Sequence, residues 1–253
     1  MIELHHWEPN GESARVMICL AEKGLDFSAR YVDVLALEQF EPQFLALDSG
    51  GEVPVLVHAG AALSGASRIC EYLEESCGGT ALMPRAPRER WQVRAWQKCV
   101  DDGLSASIAE LAWDAWGERM LAGRDTGAFE ASVGRIPVPE RRALWSAALA
   151  GYAPEVLERA RLRIASTIAA TERALARDSW LSPGGFSLAD IAVFAHLNYL
   201  PQLCPTLLEP APRTAAWIGT MRARSAVRAA LARGRSADPF AVAAPGPEQI
   251  RWG

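Results

Sequence analysis

The first 80 residues alternate short apolar runs with amphipathic segments, which is the pattern of a small α/β unit. A strand is predicted over residues 2–7, and Ser13 is predicted to open the helix that Lys23-Gly24 ends. The elements predicted next are a strand over 27–34, a weak helix over 38–46, hairpin strands over 53–57 and 62–64, and a helix over 67–76. This order predicts an α/β domain over residues 1–80.

Strand signals stop after the linker that contains Pro84 and Pro87, and helical periodicity replaces them. One long helix is predicted over 88–121, and an ordered excursion over 123–153 follows it. Three more helices are predicted: one over 154–177, one that starts at the Ser187–Asp190 capping box, and one over 212–227. The sequence therefore predicts an all-α domain over residues 88–238. The tail over 239–253, rich in Pro, Ala and Gly, is predicted to be extended or disordered.

The chain has 253 residues, of which 50% are hydrophobic, and a net charge of −4. That charge gives no electrostatic attraction for nucleic acid or an anionic membrane, so neither is expected as a partner. No apolar run is long enough to span a membrane, and residues 1–7 lack the features of a signal peptide. The five cysteines and four histidines show no metal-ligand spacing. The sequence thus predicts a cytoplasmic protein without a metal site.

Three stretches carry a family resemblance when they are taken in order. Val53-Pro54 begins a strand, residues 186–191 hold the capping box, and Pro212 and Trp217 lie on the closing helix. Together they resemble the glutathione transferases along most of the chain. The resemblance implies a thioredoxin-like N-terminal domain with a cis peptide bond before Pro54, a helical C-terminal domain, and glutathione as cosubstrate.

Three further stretches narrow the resemblance. Residues 94–102, residues 69–74, and Ile136–Glu140 followed by Trp145 are similar to the bacterial β-aryl etherases. Those glutathione-dependent enzymes cleave β-aryl ether bonds in lignin-derived aromatics. The resemblance implies an aromatic ether as substrate and a dimer, formed either with a related chain or with a second copy.

The resemblance assigns Ser13 to catalysis, as the hydroxyl that would stabilise the glutathione thiolate. A free thiol has a pKa of about 8.5, and a hydrogen-bond donor at a helix N-terminus lowers it to about 7 or less. The thiolate would attack the carbon bearing the aryl ether and expel a phenolate. The alternative is that Ser13 is only the N-cap of its helix. Trp113 and Trp116 are candidates for the aromatic pocket, although tryptophans at helical spacing more often belong to a core or an interface.

Glutathione binding is expected at Val53 and Pro54, through the backbone before the proline, and at Ala66 and Ser67, where the third helix starts. The family usually has an acid and a serine just before this helix to take the γ-glutamyl group. This chain has Gly65-Ala66 in their place. Losing two charge-assisted contacts of roughly 1.5–3 kcal/mol each would weaken binding by about 10² to 10⁴.

A second departure lies beside the first, because Glu52 stands close to a position where the family often has a base. Ser64, Ser67 and Arg68 are candidates to compensate, and the helix N-terminus still favours an anion. Three hypotheses remain open. The chain is the supporting subunit of an etherase heterodimer, an independently active glutathione transferase that uses Ser13, or a non-enzymatic binding or scaffold protein.

Overall fold

Two half-buried strands form the centre of a four-stranded sheet with the order β2-β1-β3-β4. β1 (Ile2–His6) pairs in parallel with β2 (Phe27–Tyr31) and antiparallel with β3 (Val55–His58), and β4 (Ala61–Ser64) pairs antiparallel with β3. This computed structural model describes residues 1–236, so the predicted tail over 239–253 lies outside it. The predicted fold class, a thioredoxin-like α/β part followed by an all-α part, is confirmed.

The N-terminal part contains α1 (Gly11–Lys23), the short α2 (Pro42–Leu45) and α3 (Ala66–Ser76). The strand predicted over 27–34 ends early, at Tyr31, because the Asp33 side chain accepts a hydrogen bond from Ala36 N and starts a 3-10 turn. The helix predicted over 38–46 is interrupted because Glu41, before Pro42, takes an extended conformation. The Val53–Pro54 peptide bond is cis, as the resemblance implies.

The long helix predicted over 88–121 is divided in the structure. α4 (Pro87–Cys99) continues through a π-helical turn (Val100–Leu104) into α5 (Ser105–Met120). Such a turn inserts one extra residue and changes the direction of the side chains around it. Asp101 lies in this turn and contacts Arg15 of α1 at 2.8 Å, so the irregularity coincides with a charged link between the two parts of the chain.

The excursion predicted over 123–153 contains two helices, α6 (Thr126–Val133) and α7 (Pro139–Ala150). The helices that follow are α8 (Pro154–Leu175), α9 (Leu188–Leu197), α10 (Leu200–Leu203), α11 (Pro212–Ala223) and α12 (Ser225–Leu231). The helix predicted over 212–227 breaks at Arg224, which has an extended backbone. Its guanidinium binds Glu22 of α1 at 2.6 and 2.8 Å. Local periodicity could not predict this ion pair, because its two residues are distant in sequence.

The predicted capping box at the start of α9 is confirmed. The Asp190 carboxylate accepts hydrogen bonds from the backbone N–H groups of Ser187 at 3.1 Å and Leu181 at 3.0 Å, and from Trp217 Nε1 at 3.3 Å. Burial raises the pKa of Asp190 to about 6, although these hydrogen bonds oppose the shift. Asp190 therefore joins three segments of the helical part around one buried carboxyl group.

The buried apolar residues form two clusters. The larger lies between α1, α3 and the helices of the C-terminal part. The smaller joins one end of the sheet, including Trp7 and Val53, to Trp113 and Trp145 on α5 and α7. This second cluster therefore packs α6 and α7 against the sheet. Over residues 1–236, no helix has the length and apolar character needed to cross a membrane.

Candidate functional site

The sheet brings the predicted glutathione-binding positions to one edge. His5 lies opposite Val55, so the same antiparallel register extended by two residues places Trp7 opposite Val53. Val55 also lies opposite Ser64, so the cis-proline segment before β3 lies beside the residues that lead from β4 into α3. The start of α1, the cis-proline segment and the start of α3 therefore meet at this edge of the sheet.

Ser13 lies in the first turn of α1, as the third residue of the helix. The alternative that Ser13 is only an N-cap is wrong, because the helix begins at Gly11 and Asn10 holds the N-cap position. Ser13 is 3% exposed, and its Oγ accepts a hydrogen bond from Trp7 N at 3.2 Å. A serine hydroxyl has one hydrogen to donate in addition to its acceptor sites. Ser13 can therefore bind the loop before α1 and still donate to a thiolate.

A buried charged network lies behind Ser13. Arg15 donates to Glu12 at 2.9 Å, to Asp101 at 2.8 Å and to Ser67 Oγ at 2.5 Å. Ser67 in turn donates to Asp101 at 2.7 Å. Burial alone would lower the pKa of Arg15, but the carboxylates of Glu12 and Asp101 outweigh it and raise that pKa. The hydroxyl of Ser67, predicted to face glutathione, is therefore engaged in a link between α1, α3 and the π-helical turn.

Glu12 completes this network on the side of α9. His196 Nε2 lies 3.3 Å from the Glu12 carboxylate, and His196 Nδ1 lies 2.9 Å from Ala192 O. Burial raises the pKa of Glu12, but the charge of Arg15 and the contact with His196 outweigh burial and lower it to about 2. Glu12 is thus held as a carboxylate in the first turn of α1, where the helix dipole also favours negative charge.

The start of α3 carries a guanidinium where the family usually has an acid. A Cβ on Gly65 would lie 2.7 Å from Nε and 2.8 Å from Nη2 of Arg68, so Arg68 fills the space that a side chain at position 65 would take. Arg68 Nη2 lies 3.6 Å from the Glu52 carboxylate and 3.4 Å from Ser64 Oγ. Burial raises the pKa of Glu52, and Arg141 and Arg68 oppose this shift. Arg141, 3% exposed on α7, therefore brings a second positive charge towards this edge.

The two candidate pocket tryptophans point to different surroundings. Trp113 is buried, donates from Nε1 to Ala148 O at 3.0 Å, and packs edge-on against Trp145 with ring centres 5.5 Å apart. Trp116 is half-buried and packs against both apolar clusters, so it lies at their junction. Both tryptophans therefore contact the cluster that joins the helical part to the sheet, and Trp116 also contacts the larger one.

Several residues at this edge were not found from the sequence. Arg15 lies on a predicted helix, Glu12 in the loop predicted before it, and Arg141 in the predicted excursion. Nothing in the local pattern marks Arg15 and Arg141 as buried or Glu12 as half-buried. Trp7 is 3% exposed, and its Nε1 has no hydrogen-bond partner among residues 1–236. Its position directly before the Glu-Pro-Asn-Gly loop was the one available signal. No cluster of potential metal ligands is found in that part of the chain.

The sequences of known proteins match both parts of this chain. Residues 13–76 match the glutathione S-transferase N-terminal domain family, and residues 154–220 match the glutathione S-transferase C-terminal domain family. Protein LigF of Sphingobium sp. (strain NBRC 103272 / SYK-6) is 29% identical over 246 residues, which cover 94% of this chain and 95% of LigF. Glutathione S-transferase F14 of Arabidopsis thaliana is 31% identical over 228 residues, which cover 85% of this chain and 77% of the relative.

Solved structures show the same relationship. The crystal structure of β-etherase LigF from Sphingobium sp. strain SYK-6 superposes with a TM-score of 0.85 at 28% identity, covering 92% of this chain and 99% of LigF. Glutathione transferase F7 from Populus trichocarpa superposes with a TM-score of 0.68 at 21% identity, over 91% and 99% of the two chains, and supports the fold alone. This chain belongs to the glutathione S-transferase family.

Proposed function

We propose that this chain is a subunit of a glutathione-dependent β-aryl etherase that acts on lignin-derived aromatic ethers, and that it supports a catalytic partner of the same fold. The β-etherase LigF, which matches over nearly the whole chain, supports the reaction class. The α6–α7 excursion, which contains the Ile136–Glu140 segment, supports the narrower assignment because it packs against the sheet beside Trp7 and Val53.

The observation that carries the supporting role is the charge at the start of α3. An acid at position 65 would attract the ammonium of a γ-glutamyl group, whereas the Arg68 guanidinium in that space repels it. Ala66 has no hydroxyl to offer, and Ser67 Oγ is engaged by Arg15 and Asp101. Glutathione would therefore keep its backbone contacts at Val53 but lose its γ-glutamyl anchor.

The outer face of α3 and α4 has features of an interface with a partner chain. Trp91 on α4 is 68% exposed, which is unusual for a large aromatic side chain away from an interface. A groove of about 420 Å³ lies on the same face, between α3 and α4, and is lined by charged groups that include Glu71, Arg94 and Lys98. An apolar anchor beside groups of both signs suits a related chain or a second copy better than a small molecule.

An independently active glutathione transferase is the second candidate, and Ser13 is the observation that favours it. Its hydroxyl lies in the first turn of α1, where a helix N-terminus stabilises an adjacent thiolate. In this alternative, Arg68 and the N–H groups of α3 would take the γ-glutamyl carboxylate without any group for the ammonium.

Activity measurements separate the two candidates. Phenol release from a β-aryl ether with glutathione is measured for this chain, for a related etherase chain from the same genome, and for their mixture. Our proposal predicts that the mixture exceeds the sum of the separate rates, and that Ser13→Ala in this chain leaves the rate of the mixture unchanged. Ser107→Ala is the matched control, since it removes the same buried oxygen at a distant position.

The outcomes differ for each hypothesis. Activity of this chain alone, lost in Ser13→Ala and kept in Ser107→Ala, would establish the independent transferase and refute the supporting role. No activity alone and no gain on mixing would leave a non-enzymatic binding or scaffold function on the same fold.

A further inference from the structure

The first turn of α3 has no side-chain cap. The first backbone hydrogen bond of this helix joins Ile69 N to Gly65 O, so the N–H groups of Ala66, Ser67 and Arg68 precede the hydrogen-bonded part of α3. Gly65 holds the N-cap position and has no side chain to accept from them. Such a helix end favours an anion, because its free N–H groups and the helix dipole act together.

A guanidinium group lies over this helix end. Arg68 fills the space that a side chain at position 65 would take. It lies 3.4 Å from Ser64 Oγ and 3.6 Å from the Glu52 carboxylate, and both distances exceed the span of about 2.7–2.9 Å that is usual for a charge-assisted hydrogen bond. The Arg68 side chain is 61% exposed, so a ligand can reach it. Since a guanidinium has several N–H donors, Arg68 can bind a ligand carboxylate as well.

The carboxylates described at this edge each face an arginine. Glu12 and Asp101 both lie within 2.9 Å of the Arg15 guanidinium, and Glu52 faces Arg68. A ligand ammonium would therefore compete with an arginine for each carboxylate. A ligand carboxylate would instead meet Arg68 and the free N–H groups of α3. The electrostatics at the start of α3 thus favour a carboxylate and disfavour an ammonium.

The binding groups for the rest of a glutathione-like ligand do not depend on this charge. Val53 precedes the cis peptide bond to Pro54, and its backbone can pair with an extended peptide. The Ser13 hydroxyl, whose oxygen accepts from Trp7 N, can still donate to a thiolate. A cysteinylglycine unit would therefore meet the same groups whichever acyl group it carries.

We propose that Arg68 changes the ligand preference of this site from glutathione to a thiol peptide whose acyl group carries a carboxylate and no ammonium. Arg68 and the N–H groups of α3 would bind the carboxylate, and the Val53 backbone would pair with the cysteinyl unit. The ammonium of glutathione would lie against the Arg68 guanidinium, and like charges repel. The inference deepens the proposed function and rests on its loss of the γ-glutamyl anchor.

Calorimetric titration of the full-length chain with matched thiol peptides tests this preference. Glutathione carries an ammonium and a carboxylate on its acyl group, glutaryl-cysteinylglycine carries only the carboxylate, and butanoyl-cysteinylglycine carries neither. Glutaryl-cysteinylglycine is expected to bind at least about 10-fold more tightly than each of the other two, because it alone gains a charge-assisted contact with Arg68 without a repelled ammonium.

Two variants assign the preference to Arg68. Arg68→Gln keeps a polar side chain but removes the charge, so the preference for glutaryl-cysteinylglycine should disappear. Arg68→Glu returns an acid to the space beside Gly65, so glutathione should become the tighter ligand. Arg30→Gln is the matched control, because Arg30 is also 61% exposed and pairs with Glu3 on β2, at the opposite edge of the sheet. This control should keep the preference of the wild type.

The outcomes separate this inference from the proposed supporting role. Equal binding of the probes, tighter binding of glutathione, or an unchanged preference in Arg68→Gln would overturn the inference. Absence of binding by every probe would also overturn it and leave the supporting role standing, since that role predicts no measurable glutathione binding by the isolated chain. The gain in ether cleavage on mixing with a related chain tests the supporting role separately.

Discussion

Ser13 shows how one hydroxyl can have a structural and a chemical role at once. Its oxygen satisfies the buried N–H of Trp7 and ties the loop before α1 to the helix. Its hydrogen can be donated to a second acceptor. A serine that were only a helix cap would bond an N–H of its own first turn, and Ser13 instead bonds a residue that precedes the helix.

Ser13→Ala should destabilise the fold by about 1–3 kcal/mol, because it leaves the Trp7 N–H buried without an acceptor. Ser107→Ala is the matched control, since Ser107 Oγ is buried with no hydrogen-bond partner in the described part of the chain. Its loss should cost little or be slightly stabilising. Urea unfolding of both variants measures the difference, and equal costs would show that the Trp7 bond contributes nothing.

Glu12 gives a pH-dependent prediction. Its pKa falls from 4.5 to about 2 on folding, so its contribution is present above pH 4.5 and is lost as the pH falls towards 2. The full contribution is about 3 kcal/mol by linkage. Glu12→Gln should therefore be less stable than the wild type at pH 7, with the gap narrowing below pH 4.5. The charged and titratable groups facing it are Arg15 and His196.

Urea unfolding of the wild type and Glu12→Gln at several pH values measures this gap. Glu155→Gln in the first turn of α8 is the control, because Glu155 is exposed at an equivalent helix position. A gap that stays constant from pH 7 to pH 3 would mean that the Glu12 carboxylate is not selectively stabilised by folding.

The order of the elements could be predicted from the sequence because it depends on local patterns. Periodicity found the sheet and most helices, and the capping box marked the start of α9. Periodicity missed the breaks within the helices predicted over 88–121 and 212–227, where a contact with a distant residue accompanies the change in backbone conformation. Asp101 in the π-helical turn binds Arg15, and Arg224 between α11 and α12 binds Glu22. Neither pair leaves a trace in the local sequence.

The capping box of α9 has effects beyond its own helix, because the Asp190 carboxylate accepts four hydrogen bonds, two of them from Leu181 and Trp217 outside α9. Asp190→Ala should cost about 3 kcal/mol or more, since each buried donor left unpaired costs about 1–3 kcal/mol. Asp125→Ala removes an exposed cap at the start of α6 and should cost about 1 kcal/mol. Thermal or urea unfolding compares them, and similar costs would contradict the central role of Asp190.

The candidate site was predictable in part. The cis-proline segment and the loss of the acid-serine pair at Gly65-Ala66 could be read from the residues that carry the resemblance. The position of the Arg68 guanidinium could not, because it depends on how a flexible side chain folds over a glycine. The engagement of Ser67 also depends on Asp101, which lies 34 positions further along the chain.

Contacts between residues distant in sequence connect the segment after α12 to the loop before α1. The Glu8 carboxylate in that loop accepts hydrogen bonds from Tyr31 Oη at 2.7 Å and from the backbone N–H groups of Arg235 at 2.9 Å and Ser236 at 3.2 Å. Arg235 also lies over the Tyr31 ring, 4.0 Å from its centre. The segment after α12 is therefore attached to the loop that leads to Ser13.

Glu8→Ala should release this segment, because its two N–H groups lose a charged acceptor. Hydrogen exchange at Arg235 and Ser236 should accelerate by about 10-fold or more, since a hydrogen bond to a charged group contributes about 1.5–3 kcal/mol. Glu38→Ala is the control, because Glu38 accepts from Asp33 N at 2.7 Å in the same part of the chain. Unchanged exchange in Glu8→Ala would show that the segment is held by other contacts.

Glutathione binding tests the proposed supporting role most directly. Reduced glutathione is titrated by calorimetry into the isolated chain, and then into an equimolar mixture with a related etherase chain from the same genome. With Arg68 over Gly65 and no hydroxyl at Ala66, binding should be weakened by about 10² to 10⁴. The isolated chain should therefore give no measurable binding up to low-millimolar glutathione, and the mixture should give one site per pair of chains. Micromolar to low-millimolar binding by the isolated chain would contradict the account and favour the alternative in which Ser13 is catalytic.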